Sequence, residues 1–227
     1  MVVDIIFNVF GGTGIFLLGL AGLFYLFLKN KRIRYMAVMF MLIIPVSVYS
    51  HPHVYIDNTV SIVFDKDGMK GIRAQWVFDE MFSNMIIADC DRNSDGKLNS
   101  DEVKAVKKGY FSNLKQHNYF SYVEIDGKAF RVTYVEDFNA SIQDDKIMYS
   151  FFIPCHVKAS AEAKKIIIAM YDETYYTDIA HNDFACKPAE LTGRFEIEAR
   201  VVDNTKKSFY FGQMHPTEIV LTFKKKS

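Results

Sequence analysis

The sequence predicts an α+β domain: an antiparallel β-sheet or β-sandwich with one inserted helix–loop–helix, preceded by one or two hydrophobic helices. Three observations predict it. After residue 51 most of the chain alternates apolar with polar residues; between Asp79 and His117 the apolar period becomes helical; and the first fifty residues carry almost no charge outside one basic run.

The hydrophobic start comes first. Residues 5–28 contain no charged side chain, long enough at helical rise to cross a hydrocarbon core. Lys29-Asn-Lys-Arg-Ile-Arg34 follows, and then a second uncharged stretch, 35–50. That second stretch has the layout of a signal peptide, with cleavage after Val48-Tyr49-Ser50 leaving His51 as a new amino terminus. Residues 1–28 read either as a transmembrane helix with the basic run held in the cytoplasm, or as translation assigned from upstream of the true start. Both readings place residues 51–227 outside the cytoplasm, periplasmic and, if the leader is uncleaved, anchored to the membrane through it.

Basic and acidic residues number 27 each. Four of the basic ones and one acidic one precede His51, which leaves 23 against 26 in the exported part. That mild acidity, with no basic tract, excludes a nucleic-acid partner. Of three cysteines, Cys155 and Cys186 are the favoured disulfide pair in an oxidising compartment, three unpaired thiols being the alternative.

Strands are expected at 53–64, 71–78, 120–125, 130–135, 147–157, 165–171, 194–202 and 218–223, with Asp126-Gly127 as a hairpin turn. The insert, 79–117, has Met81, Phe82, Met85, Ile86 and Ile87 at helical spacing before its loop, and Val103, Val106, Tyr110 and Leu114 after it. Asp79-Glu80 suits the start of the entering helix, where carboxylates favour the dipole.

The loop itself is Asp91-Arg-Asn-Ser-Asp-Gly-Lys-Leu-Asn-Ser-Asp-Glu102. Oxygen-bearing side chains stand at alternate positions, a glycine at the sixth and a glutamate at the twelfth, which is the pattern of an EF-hand calcium loop. Asp91, Asn93, Asp95 and Asn99 would offer side-chain oxygens, Lys97 its carbonyl, and Glu102 both carboxylate oxygens; Gly96 allows the sharp turn, and Leu98 anchors the loop. With three charged ligands and no second loop to couple to, the expected affinity is the ~10⁻⁴–10⁻³ M of extracellular modules, a permanent brace rather than a sensor.

A second metal site is expected at the histidine-bearing start. His51 and His53 flank Pro52, whose missing N–H rules out square-planar binding through backbone amides and leaves imidazole coordination, which suits Zn²⁺. Further ligands are open among His156, His181, Asp172, Glu173 and His215, while His117 suits the end of the exit helix. No nucleophilic triad or phosphate loop is present, so no enzyme is expected.

Several features occur together: His51-Pro-His-Val-Tyr-Ile-Asp57 after a leader, Trp76-Val-Phe-Asp-Glu80, the Asp91–Glu102 loop, Tyr119-Phe120, and Tyr171-Asp-Glu-Thr-Tyr-Tyr176. In this order they resemble a bacterial family of unknown function described as the periplasmic component of an uncharacterised ABC-type transport system. The resemblance implies an accessory of transition-metal transport (zinc, or nickel and cobalt) with a membrane permease as partner. Residues 1–28 are not part of the family's pattern.

Overall fold

The computed structural model describes residues 29, 31, 32, 35, 52–187 and 193–226, with the backbone alone for 182–187. The chain divides into two units, Met1–Tyr49 and Ser50–Ser227. In the first, Lys29, Lys31, Arg32 and Tyr35 are helical and exposed; the one or two expected hydrophobic helices and the expected cleavage site otherwise lie outside the described residues, as does His51. Among the described residues no helix is long and apolar enough to cross a membrane.

Among its described residues the second unit holds ten strands in two five-stranded sheets. β1 (Val54–Phe64), β2 (Gly68–Phe78), β5 (Glu136–Gln143), β6 (Lys146–Lys158) and β8 (Thr177–Lys187) form one sheet in the order β5-β6-β2-β1-β8. β3 (Ser121–Ile125), β4 (Lys128–Phe130), β7 (Lys164–Met170), β9 (Phe195–Asp203) and β10 (Thr217–Lys225) form the other in the order β4-β3-β7-β10-β9. Period-two side-chain alternation directs one face of each inward: Ile56, Val60, Ile62 and Phe64 from β1, Ile72, Ala74 and Trp76 from β2, Ile147, Tyr149, Phe151 and Ile153 from β6, with Ile166, Ile168, Ile219, Leu221 and Phe223 from the facing sheet. These make one buried cluster. Phe64 meets Phe223 edge-on at 5.1 Å and Phe195 at 5.6 Å, closing the gap between the sheets.

Two helices interrupt the strands. Asp79 caps α1 (Glu80–Cys90) by accepting the Phe82 amide at 2.9 Å, and its other oxygen accepts the Tyr55 amide at 2.7 Å, fixing the helix start to β1. α2 (Ser100–Val106) runs into a π-helical turn at 107–111 and a 3₁₀ segment at 112–120. Val106 and Phe111 are both buried. Five residues apart, they fall on different sides of an α-helix, and the wider π turn brings both inward.

The structure departs from the sequence expectation at identifiable places. The sheets are not wholly antiparallel, because β1 pairs with β8 in parallel, Val54 opposite Thr177 and Ile62 opposite Cys186. Strands β5 and β8, absent from the expected set, are both edge strands. Of the strand expected at 130–135 only Phe130 is in a ladder, and 131–135 is irregular. Cys155 is a free, buried thiol. It lies on β6 while Cys186 lies on β8, with β2 and β1 between them; three strand spacings, roughly 14 Å, exceed what a disulfide spans. Burial pushes the Cys155 thiol up to about 12, which keeps it protonated and inert.

One polar pair sits in the apolar wall. Asn58, fully buried at an inward position of β1, lies 3.1 Å from Nδ1 of His181 on β8. Burial holds the His181 imidazole below its usual value of 6.5. The unfolded chain therefore binds this proton more readily than the folded one, so the contribution is fully present above pH 6.5 and is lost as pH falls below it. In His181→Gln the fall in unfolding free energy below pH 6.5 should flatten, as measured by urea unfolding across the acid range.

Candidate functional site

Asp91 ends α1, its amide donating to the Ile87 carbonyl, and its carboxylate turns into the loop. Oδ1 accepts the Asp95 amide at 3.3 Å and Oδ2 the Gly96 amide at 3.0 Å. Asn93 Oδ1 accepts the Asp95 amide at 3.3 Å, and Asp95 Oδ1 the Lys97 amide at 2.9 Å. Gly96 takes a φ of +75°, a left-handed conformation that suits glycine. Asn99 caps α2 by accepting the Asp101 and Glu102 amides, and Glu102 returns the contact by accepting the Asn99 amide at 2.9 Å, a reciprocal capping box. The other oxygen of Glu102 accepts the Arg92 amide at 3.0 Å, so one carboxylate ties the start of the loop to its end.

Asp91 and Glu102 are buried, 7% and 4% exposed, and among the described residues no lysine or arginine forms an ion pair with either. Buried carboxylates without a cation are costly, and their oxygens are turned toward the loop interior. Each is engaged by amides, and among the described residues no three His, Cys, Asp or Glu side chains converge closely enough to clasp an ion as they stand.

The histidines do not assemble. His53 is exposed just before β1, with its ring 5.0 Å from that of Tyr176. His156 is exposed on β6 opposite the far end of β2, roughly 30 Å along the strands from His53. His181 is held against Asn58, and His215 donates through Nδ1 to the Lys207 carbonyl, 2.6 Å away. Asp172 is buried and committed: it accepts the Thr174 amide, the Thr174 hydroxyl and the Thr177 amide at 2.9, 2.8 and 3.1 Å. Glu173 next to it is exposed.

Beside the loop lies a feature without a motif of its own. A cavity of about 510 Å³ opens between the insert and the end of the first sheet. Val54 and Ile56 of β1, Trp76 and Phe78 of β2 and Tyr149 of β6 line it on the sheet side, Phe82 on α1, and Tyr110, Leu114 and His117 after α2. Both helices flanking the Asp91–Glu102 loop thus lead into its wall. They are tied together by Tyr110, whose hydroxyl donates to Asp89 at 2.8 Å; that bond pushes the phenol up to about 12.

At the cavity's edge the backbone is strained. Asn118, Tyr119 and Phe120 take φ of 52°, 53° and 53° in succession. Such conformations, about 1–3 kcal/mol each, persist where the surroundings over-determine them, and they gather at ligand sites. Phe120 is held by stacking on Trp76, ring centroids 6.3 Å apart.

The chain matches, over residues 36–207, the family described as Protein of unknown function (DUF1007). The chain belongs to that family. The DUF1007 match contains the whole Asp91–Glu102 loop and every residue lining the cavity. The chain is also similar to the uncharacterised 15.5 kDa protein in the trpE 3′ region of Spirochaeta aurantia, 30% identical over 138 residues that cover 61% of this chain and 98% of that protein. An uncharacterised protein of Haemophilus influenzae is 23% identical over 143 residues, 62% of this chain and 67% of that protein.

Proposed function

We propose that this DUF1007 domain is a binding module that works outside the cytoplasm and is braced by calcium at residues 91–102. One observation carries the reading: Asp91 and Glu102 are buried carboxylates at the two ends of a loop whose side-chain oxygens already accept its own amides, with no basic side chain among the described residues paired to them. A hard cation supplies the missing charge and takes oxygen ligands of this kind. Asp91, Asn93, Asp95, the Lys97 carbonyl, Asn99 and Glu102 would hold it. The ion supplies rigidity rather than chemistry, because the loop joins the helices that wall the cavity.

Asp95→Ala tests the brace. Asp95 is exposed, and among the described residues its carboxylate meets only the Asn93 side chain and the Lys97 amide. The calcium-free melting temperature should stay near wild type, while calcium affinity falls at least tenfold, about 1.4 kcal/mol, and the calcium-dependent gain in melting temperature shrinks with it. A variant that keeps the full calcium-dependent gain in a thermal scan would remove Asp95 from the site and the brace with it.

A second reading is favoured by the position of His53. It packs on Tyr176, which lines the cavity together with His117, so a transition metal captured at His51 and His53 would sit close to the cavity mouth and be passed to a membrane permease. Metal analysis of protein purified from the periplasm should then show zinc, nickel or cobalt that is lost in His51→Ala/His53→Ala. Unchanged transition-metal content in that double variant would end this reading while leaving the calcium brace intact.

A further inference from the structure

Trp76 and Tyr149 face each other across the β2–β6 ladder as direct partners in register, so both side chains point to the same face of the sheet. Both line the cavity, both are at most 1% exposed, and neither the indole Nε1 nor the phenolic oxygen has a hydrogen-bond partner among the described residues. Buried polar groups are almost always satisfied, and here two of them lie unsatisfied beside the same space. The indole N–H can only donate. The Tyr149 hydroxyl also keeps its proton, since burial pushes the phenol well above its ordinary value. What is missing is an acceptor.

The rest of the lining says what carries that acceptor. No lysine or arginine is among the lining residues, Asp172 has its oxygens occupied by the Thr174 and Thr177 groups, and most of the wall is apolar (Val54, Ile56, Phe78, Phe82, Leu114 and Phe120), with Asn113, Gln116 and His117 along the side formed by the insert. A carboxylate or phosphate would lose its hydration there without a fixed cation in exchange. A volume of about 510 Å³ is that of a small-molecule pocket. We infer that the cavity binds a small uncharged molecule, largely aromatic or aliphatic, through a carbonyl oxygen that accepts from Trp76 Nε1 and the Tyr149 hydroxyl, which lie just beneath the cavity wall and turn out of it to meet the ligand. The inference goes beyond the calcium reading and rests on the cavity alone, so either can fail without the other.

Benzophenone and its hydrocarbon isostere 1,1-diphenylethylene differ only in the acceptor, and Trp76 is the single tryptophan of the chain, giving one indole N–H signal in a ¹H–¹⁵N spectrum. With the full-length chain in calcium, benzophenone should bind saturably, move that signal downfield, and bind about fivefold or more tighter than the hydrocarbon, the scale of a hydrogen bond to a buried donor. Tyr149→Phe keeps the ring and removes only the hydroxyl; it should cut that preference by about half or more and leave hydrocarbon affinity unchanged. Equal affinities for the two probes, an unmoved indole signal, or no saturable binding (the result for a cavity filled by fixed water) would each overturn the assignment.

Discussion

Trp76→Ala should lower the free energy of unfolding by about 3–5 kcal/mol, the range for deleting a large aromatic side chain from a packed core. Trp76 is wholly buried, stands edge-on to Phe151 at 4.8 Å and to Phe78 at 6.3 Å, and is the surface on which strained Phe120 stacks. Its removal takes away packing from β6 and the support that holds Asn118–Phe120 in left-handed geometry. Chemical unfolding followed by far-ultraviolet circular dichroism measures the loss. A change under about 1 kcal/mol, the level of a surface substitution, would mean that the ring is not the keystone of the two sheets. Tyr149→Phe is the milder probe of the same place, because taking away a buried hydroxyl that has no partner is close to neutral.

Glu102→Ala should also be damaging even in chelator, about 2 kcal/mol. Its two oxygens satisfy the Arg92 and Asn99 amides through bonds that are only partly buried, so each lost acceptor costs about 1 kcal/mol, the low end of the range for an unsatisfied amide. The α2 capping box is lost at the same time. Added calcium should then no longer raise the melting temperature. Glu102→Gln retains one accepting oxygen, so it should recover part of the calcium-free stability without recovering the response to calcium. Matching melting curves for wild type and Glu102→Ala in chelator would show that the loop is not closed by this side chain.

The two predictions fall on the two kinds of feature that the sequence exposes unequally. The Asp91–Glu102 loop was legible because the residues that shape it are local: alternate oxygen-bearing side chains, a turn glycine and a closing glutamate lie within twelve residues. The central strands were legible from alternation, as in Val54–Phe64. Strands β5 and β8 were not, since Glu136-Asp-Phe-Asn and Thr177-Asp-Ile-Ala-His-Asn-Asp carry the polar residues of sheet edges, where pairing rather than a hydrophobic stripe makes the strand. The cavity is invisible for another reason. Trp76, Phe120, Tyr149 and Tyr176 come from four separate segments, and only the register of β2 with β6 and the break after His117 bring them together. Trp76, Phe120 and Tyr176 did appear in the motifs carrying the family resemblance, but nothing in their spacing says that they share a wall.

The parallel pairing of β8 on β1 sets an order of assembly. β1 and β2 can join as soon as their short turn forms, and β6 can dock on β2 next, but the other flank of β1 has no partner until residues beyond 177 arrive, some 120 positions later. Contacts that distant in sequence form slowly, and an open strand flank invites pairing with other chains. A chain halted before residue 177 would therefore hold both the loop and most of the cavity wall yet expose the full length of β1. Such fragments are expected to self-associate, and β8 acts as the seal that keeps the flank of β1 from pairing with other chains.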